Sequence, residues 1–233
     1  MQHGRNPLAT GEAPLASPRF AGLCSDIERY YTGKIRLYGP SPLGVDWSCA
    51  PTQKLRFIQV LKVCNFDSPF SLADLGCGYG ALLGFLAERF HDKQVIYKGV
   101  DLSPAMIFQA RRLWPQRPDT EFSVGNELSG ISDYTVASGI FNVKLHQPEI
   151  QWTRFVQATL THMHGHSRLG FAVNFLAPLT DTGKTRPELY RAEPELWCDY
   201  CERALGAEVT LLTGYGMREY TLLVRPRASL SAR

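Results

Sequence analysis

The stretch Ala73-Asp74-Leu75-Gly76-Cys77-Gly78-Tyr79-Gly80-Ala81-Leu82-Leu83 sets an acid and three alternating glycines between an apolar run and an apolar helix pattern. Glycine is needed where a chain turns sharply out of a strand and lets a ligand approach its backbone. A second apolar run, Tyr97-Lys98-Gly99-Val100-Asp101-Leu102, also ends in an acid, 21 residues after Gly80. An acid at the tip of the strand after a glycine turn is placed to accept both hydroxyls of a ribose. The spacing is Gly-x-Gly-x-Gly after Asp74, not the Gly-x-Gly-x-x-Gly of NAD or FAD sites. A carboxylate beside a pyrophosphate would repel it, whereas the same carboxylate suits a cationic amino group and a sulfonium.

On these residues the chain resembles the class I S-adenosylmethionine-dependent methyltransferases. Asp74 to Gly80 is similar to the family's first motif and Gly99-Val100-Asp101-Leu102-Ser103 to its second. The resemblance runs over roughly residues 66 to 225 and includes a last strand that turns antiparallel after a late hairpin. It implies S-adenosyl-L-methionine as cofactor, with Asp74 and the turn Gly76, Cys77, Gly78, Tyr79 and Gly80 at the methionine end. Asp101 would take the ribose hydroxyls and Leu102 would lie against the adenine. Gly125 and Asn126 fall where the family sets a side chain on the adenine amino group, and Ser138 and Gly139 fall in its fourth motif. The chain lacks an Asn-Pro-Pro-Tyr-like tetrapeptide after the fourth strand and lacks a Pro-Cys nucleophile. Methylation of a nucleobase amino group or of cytosine carbon-5 is therefore not expected.

Methyl transfer from a sulfonium is an in-line displacement, so the protein chiefly orients two groups and excludes water. A base is needed only where the acceptor must lose a proton. His146, in the lip Phe141-Asn142-Val143-Lys144-Leu145-His146, is the candidate base; its other reading is a solvated loop histidine. Tyr38, Asp46, Trp47, Asn142 and Asn174 are the candidate acceptor-side residues. Asp46 and Trp47 sit in a long loop that either closes the pocket or only packs Trp47 on a helix. Gln53 and Arg56 either reach the methionine carboxylate or, for Arg56, form a plain surface charge. Asn174, an amide in the apolar strand Phe-Ala-Val-Asn-Phe-Leu, either bonds a neighbouring loop or points into the pocket. His162, His164 and His166 alternate without an accompanying carboxylate or cysteine, so no metal site is expected. Cys198 and Cys201, a lone Cys-x-x-Cys in a helix, read as packing.

The elements that must position these groups follow from periodicity. Residues 1–18 read as a flexible arm and 227–233 as a tail. Residues 19–65 read as a helical appendage or lid: a helix over Phe20–Tyr31, an ordered loop from Lys34, and a second helix from Thr52, its proposed N-cap. Residues 66–226 alternate strand and helix, which predicts an α/β, Rossmann-like, mostly parallel seven-stranded sheet with the last strand antiparallel. Ser103 and Pro104 mark a helix start, and a strand is expected through Asp133–Phe141.

The 233 residues are 44% hydrophobic and 20% charged, which excludes a disordered chain. No apolar run approaches a membrane span and no secretory signal is read at the start. Six scattered cysteines fit free thiols in a reducing cytoplasm. A net charge of +3 does not by itself call for nucleic acid. The leading expectation is a cytoplasmic enzyme, monomer or homodimer, that methylates an oxygen or nitrogen of a small molecule, with bacterial specialised metabolism as its guessed setting. The alternatives are methylation of RNA or protein, with Lys34, Arg36, Lys54, Arg56 and Lys62 as a basic stripe, and a non-catalytic cofactor-binding partner subunit.

Overall fold

The computed structural model describes residues 15, 17–115, 117–179 and 186–227. Seven strands form one sheet: β1 (Phe70–Leu75), β2 (Val95–Asp101), β3 (Thr120–Val124), β4 (Ser132–Ala137), β5 (Ser167–Leu176), β6 (Ala207–Leu212) and β7 (Glu219–Pro226). Their order is β3-β2-β1-β4-β5-β7-β6. All neighbours pair parallel except β7, which runs antiparallel to both β5 and β6. The expected α/β, mostly parallel sheet with an antiparallel last strand is the observed one. Helices α3 (Ala81–Arg89), α4 (Pro104–Leu113), α5 (Glu149–Gly165) and α6 (Pro194–Arg203) connect the strands, preceded by α1 (Pro18–Tyr38) and α2 (Ala50–Leu61).

Central strands of such a sheet are covered on both faces, so they are apolar at successive positions rather than alternating. In β5 every residue from Gly170 to Phe175 is buried. The order reverses between β1 and β4, because β1 continues outward through β2 and β3 while β4 leads the other way. Ligands of open α/β sheets bind at the carboxyl ends of the strands at that switch point. An aromatic column fixes the far side of it. Phe175 stacks on Phe141 at 5.1 Å, on Trp197 at 5.6 Å and on Tyr220 at 5.4 Å. Phe141 therefore anchors the chain just past β4 from below.

Several local expectations are corrected. α1 continues to Tyr38, so Lys34–Tyr38 are helix rather than loop; Ile35 extends the buried stripe of Phe20, Leu23 and Ile27. Gly39, at φ 64°, ends it. Thr52 is not the cap of α2, which starts at Ala50 with Pro51 in its first turn and Cys49 as N-cap. Its hydroxyl instead accepts from Trp47 Nε1 at 2.8 Å. β4 stops at Ala137, and Ser138–Phe141 form a turn. His162 and His164 belong to the last turn of α5, and His162 Nε2 accepts the Leu128 N–H at 2.8 Å. Ser103 caps α4 as expected, its hydroxyl accepting from Met106 N at 3.2 Å. Most of the arm at 1–18 and of the tail at 227–233 lies outside the described residues. Leu15, read as part of the arm, is buried, and its carbonyl accepts from Asn126 Nδ2 at 3.2 Å. No described helix is long and apolar enough to cross a membrane.

The turn after β1 is supported from β2 by a glycine with no room for a side chain. A Cβ on Gly99 would lie 2.8 Å from Cys77 Sγ and 2.8 Å from the Phe122 ring. Both neighbours are buried. Gly99→Ala is expected to lose roughly 1–3 kcal/mol of stability through overpacking. Urea unfolding of the two proteins checks this, and an unchanged midpoint would contradict the packing described.

Candidate active site

The carboxyl ends of β1, β2 and β4 open into a cavity of about 310 Å³ beneath α1, α2 and the 3₁₀ turn Pro42–Val45. Gly76, Gly78, Asp101, Leu102, Ser103, Met106, Gly125, Asn126 and Ser138 line one part of it. Gly76, Gly78 and Gly80 all have positive φ, between 56° and 82°. A Cβ on Gly78 would meet Val45 Cγ1 at 3.0 Å, so the lid lies against the turn. A Cβ on Gly76 would overlap the Ile140 side chain. The bare backbone is therefore what allows turn, lid and lip to converge.

Asp101 organises this edge. Its Oδ2 accepts from Gly78 N and its Oδ1 from Ser103 N, both at 2.8 Å. One carboxylate thus ties the glycine turn to the start of α4. Burial pushes its pKa up to about 6, although those two N–H groups pull it down, and the charge of Glu28 adds to the rise. Glu28 comes from α1. Its Oε1 accepts from Thr32 Oγ1, which in turn shares a 2.6 Å hydrogen bond with Ser103 Oγ. Helix α1 is thus tied directly to the N-cap of α4. Asn126 is latched as well, its Nδ2 facing the Leu15 carbonyl and, at 3.6 Å, Cys24 Sγ.

Arg56 dominates the opposite part. Its side chain is only 6% exposed, with Nε 3.1 Å from Glu219 Oε2 and the guanidinium 4.1 Å from the centre of the Trp47 ring. Burial lowers its pKa, and the Glu219 charge opposes that shift. A Cβ on Gly139, where φ is 85°, would lie 2.5 Å from Arg56 Nη2. The glycine after Ser138 is thus the space the guanidinium occupies. Arg56 Nη2 has no hydrogen-bond partner among the described residues, and neither has Asn142 Oδ1. Asn174 supports the same corner: its Oδ1 accepts from Gly139 N at 2.9 Å and its Nδ2 donates to Glu219 Oε2 at 3.0 Å. Of the two readings of Asn174, bonding to the neighbouring loop is the observed one. Arg56 is no surface charge.

Not every expected residue faces the cavity. Asp74, Cys77, Tyr79 and Gly80 do not line it. Asp74 is buried and accepts a 2.5 Å hydrogen bond from Tyr97 Oη. Burial raises its pKa to about 7 against the lowering effect of that bond, with the Asp101 charge adding to the rise. Cys77 packs on Gly99. Tyr38 is exposed at the end of α1. His146, the proposed base, also fails to line the cavity; its side chain is 76% exposed and Nε2 sits 3.2 Å from Asp26 Oδ2. Asp46 and Trp47 do line it. Asp46 accepts from Tyr30 Oη at 2.7 Å and Lys34 Nζ at 2.6 Å, and these partners outweigh burial to hold its pKa below the usual range. That makes it a poor base. No group of three or more histidines, cysteines or acids able to hold a metal occurs among the described residues.

The comparisons agree with this geometry. A family model described as a methyltransferase domain matches residues 72–166, spanning β1 to the end of α5. A protein of Mycobacterium tuberculosis named as a methyltransferase is 40% identical over 165 residues, covering 71% of this chain and 98% of that one. The chain belongs to the class I S-adenosylmethionine-dependent methyltransferases. A trans-aconitate 2-methyltransferase of Rhodococcus jostii is 36% identical over 81 residues, 30% of this chain and 31% of that one. Among solved structures, the magnesium protoporphyrin IX methyltransferase of Synechocystis PCC 6803 superposes with a TM-score of 0.59 at 14% identity, covering 87% of this chain and 99% of that one. A phosphoethanolamine N-methyltransferase of Haemonchus contortus gives 0.63 at 11%, covering 91% and 51%. At such identities the likeness is one of fold.

In this methyltransferase, several cavity residues carry no sequence signal. Ile27, Glu28 and Tyr31 belong to the amphipathic pattern of α1, and Arg186 and Arg191 follow β5. Only a fold-level pairing could have found the Arg56–Glu219 contact, 163 residues apart in the chain. The buried Asp74 carries a testable signature. A carboxyl whose folded pKa is raised destabilises the fold as it ionises, from its unfolded value up through about 7. Asp74→Asn should therefore gain thermal stability relative to the parent between about pH 5 and about pH 8. Equal melting differences at the two pH values would remove the assigned titration.

Proposed function

We propose that this chain transfers the methyl group of S-adenosylmethionine to an oxygen or nitrogen of a small molecule. One observation carries the reading. One cavity of about 310 Å³ joins the glycine turn and Asp101 to a neutral lip at β4, with α1, α2 and the 3₁₀ turn over it. The cofactor, when bound, supplies an electrophilic methyl group on a sulfonium. The residues present fit it. The backbone of Gly76 and Gly78 gives the close approach, and Arg56 Nη2 is an unpartnered buried donor suited to the methionine carboxylate. Asp101 retains acceptor capacity for the ribose hydroxyls, and Leu102 borders the adenine space. Asn126 has its Nδ2 committed to the lid, which leaves Oδ1 to accept from the adenine amino group.

The protein's part is then orientation and exclusion of water. Tyr31, Trp47, Asn142, Val143, Trp152 and Phe155 also line the cavity, and we assign them to the acceptor end. Asn142 Oδ1 is available to an N–H or O–H of the acceptor. With Asp46 bound to Lys34 and His146 on the surface, the reading needs no protein base, and it favours an acceptor atom that is already nucleophilic at neutral pH. The basic stripe that RNA would need is weakened from within: Lys34 pairs with Asp46, Lys54 with Glu88, and Arg56 with Glu219. All six cysteines are free, which supports a reducing, cytoplasmic setting.

Calorimetric titration of S-adenosylhomocysteine tests the cofactor assignment. Asp101→Ala is expected to weaken binding by about tenfold or more, having lost a charged acceptor for two hydroxyls. Equal affinity in the variant would overturn the placement of the ribose.

A further inference from the structure

The acceptor end of the cavity carries a positive charge that the protein does not neutralise. Three guanidinium groups line the cavity: Arg56, Arg186 and Arg191. Arg56 has Glu219, and Arg186 Nε donates to Glu188 Oε1 at 2.6 Å. Arg191 pairs with no carboxylate among the described residues. Its Nη1 donates to the Ala177 carbonyl at 2.7 Å, which fixes the guanidinium without cancelling its charge. The nearby Glu219 is already engaged by Arg56 and Asn174. The other charged neighbours acting on Arg191, Arg218 and Arg186, are cations.

The position of Arg191 is defined by the fold. A bridge pairs it with Leu176 at the carboxyl end of β5, so it stands beyond β4 on the side away from β2 and Asp101. Nucleoside-binding groups occupy the β1–β2 side, and Arg191 faces the remainder. Val143, Leu176 and Leu189 add apolar lining to the same cavity, with Leu176 bridged to Arg191 and Leu189 to Val143. A partly desolvated guanidinium with one edge held and another free is matched by a planar anion that accepts two parallel hydrogen bonds.

From this we propose that the methyl acceptor is a small carboxylic acid with a compact apolar body, and that Arg191 binds its carboxylate. The assignment rests on the methyltransferase reading above and adds the substrate class. Arg191 acts on acceptor binding and specificity, not on the cofactor. The reading does not require the bound carboxylate to be the methylated group.

The test uses the full chain saturated with S-adenosylhomocysteine, titrated with short aliphatic and aromatic carboxylic acids and with the primary amide of each. Acids are expected to bind at least about tenfold more tightly than their amides, one charge-assisted bidentate contact being worth that factor or more. Arg191→Gln should abolish the preference while S-adenosylhomocysteine affinity stays at the parental value, which also certifies the fold. Arg191→Lys should keep part of it. Amides binding as well as acids, a preference that survives Arg191→Gln, or no acid binding to the loaded protein would each overturn the proposal. Failure of S-adenosylhomocysteine itself to bind is a separate result: it removes the methyltransferase cofactor reading and this assignment with it.

Discussion

The buried ion pair between Arg56 on α2 and Glu219 at the start of β7 is the contact on which the site depends. Moving both charges out of water is costly, and their attraction offsets that cost only when the geometry is good and further hydrogen bonds help. Asn174 supplies one such bond to Glu219, and the Trp47 ring lies across the guanidinium. The same Asn174 holds the Gly139 N–H, so the pair fixes the lid helix, the β4 turn and the β5–β7 strands at one point. Removing either partner would leave an uncompensated buried charge, at about 3–5 kcal/mol. The pair is also incomplete. Arg56 Nη2 and Glu219 Oε1 have no partner among the described residues, although protein interiors rarely leave buried polar atoms unmet. The unpartnered donor belongs to a residue that lines the cavity, which is the arrangement expected of a residue that awaits an anion.

At the other end, a carboxylate plays the matching role. Asp101 binds two backbone N–H groups and is joined through Ser103 and Thr32 to Glu28 of the lid. Asp74 lies beneath it, buried against Tyr97. The two acids sit close enough for the charge of Asp101 to raise the pKa of Asp74. A cationic ligand above the turn would relieve that repulsion, whereas a pyrophosphate would add to it. Electrostatics therefore favours a sulfonium cofactor on grounds independent of the glycine spacing.

What could be read from the chain was what is local. The turn from Asp74 to Gly80, the acid at Asp101, the Ser103–Pro104 cap and the strand–helix alternation are signals within a few residues of one another, and the structure reproduces them. The contacts that close the cavity join residues far apart: Arg56 to Glu219, Asn126 to Leu15, Thr32 to Ser103. No spacing encodes such pairs. Gly39 and Pro40 colour Lys34–Tyr38 as loop in the sequence, although they act only as a stop to α1. His146 has the chemistry of a base and follows β4 in sequence. The chain turns outward at Leu145, whose φ is 55°, and carries the imidazole to the surface beside Asp26. Asp46 reads as a free acid in the sequence, and only the fold brings Lys34 and Tyr30 to it.

The most direct test of this account is the crystal structure of the protein with S-adenosylhomocysteine. The ribose hydroxyls are expected on Asp101 and the amino acid carboxylate within about 3 Å of Arg56 Nη2, beneath α1 and α2. A ligand whose carboxylate lies elsewhere, with Arg56 Nη2 still without a partner, would contradict the central role given to the Arg56–Glu219 pair.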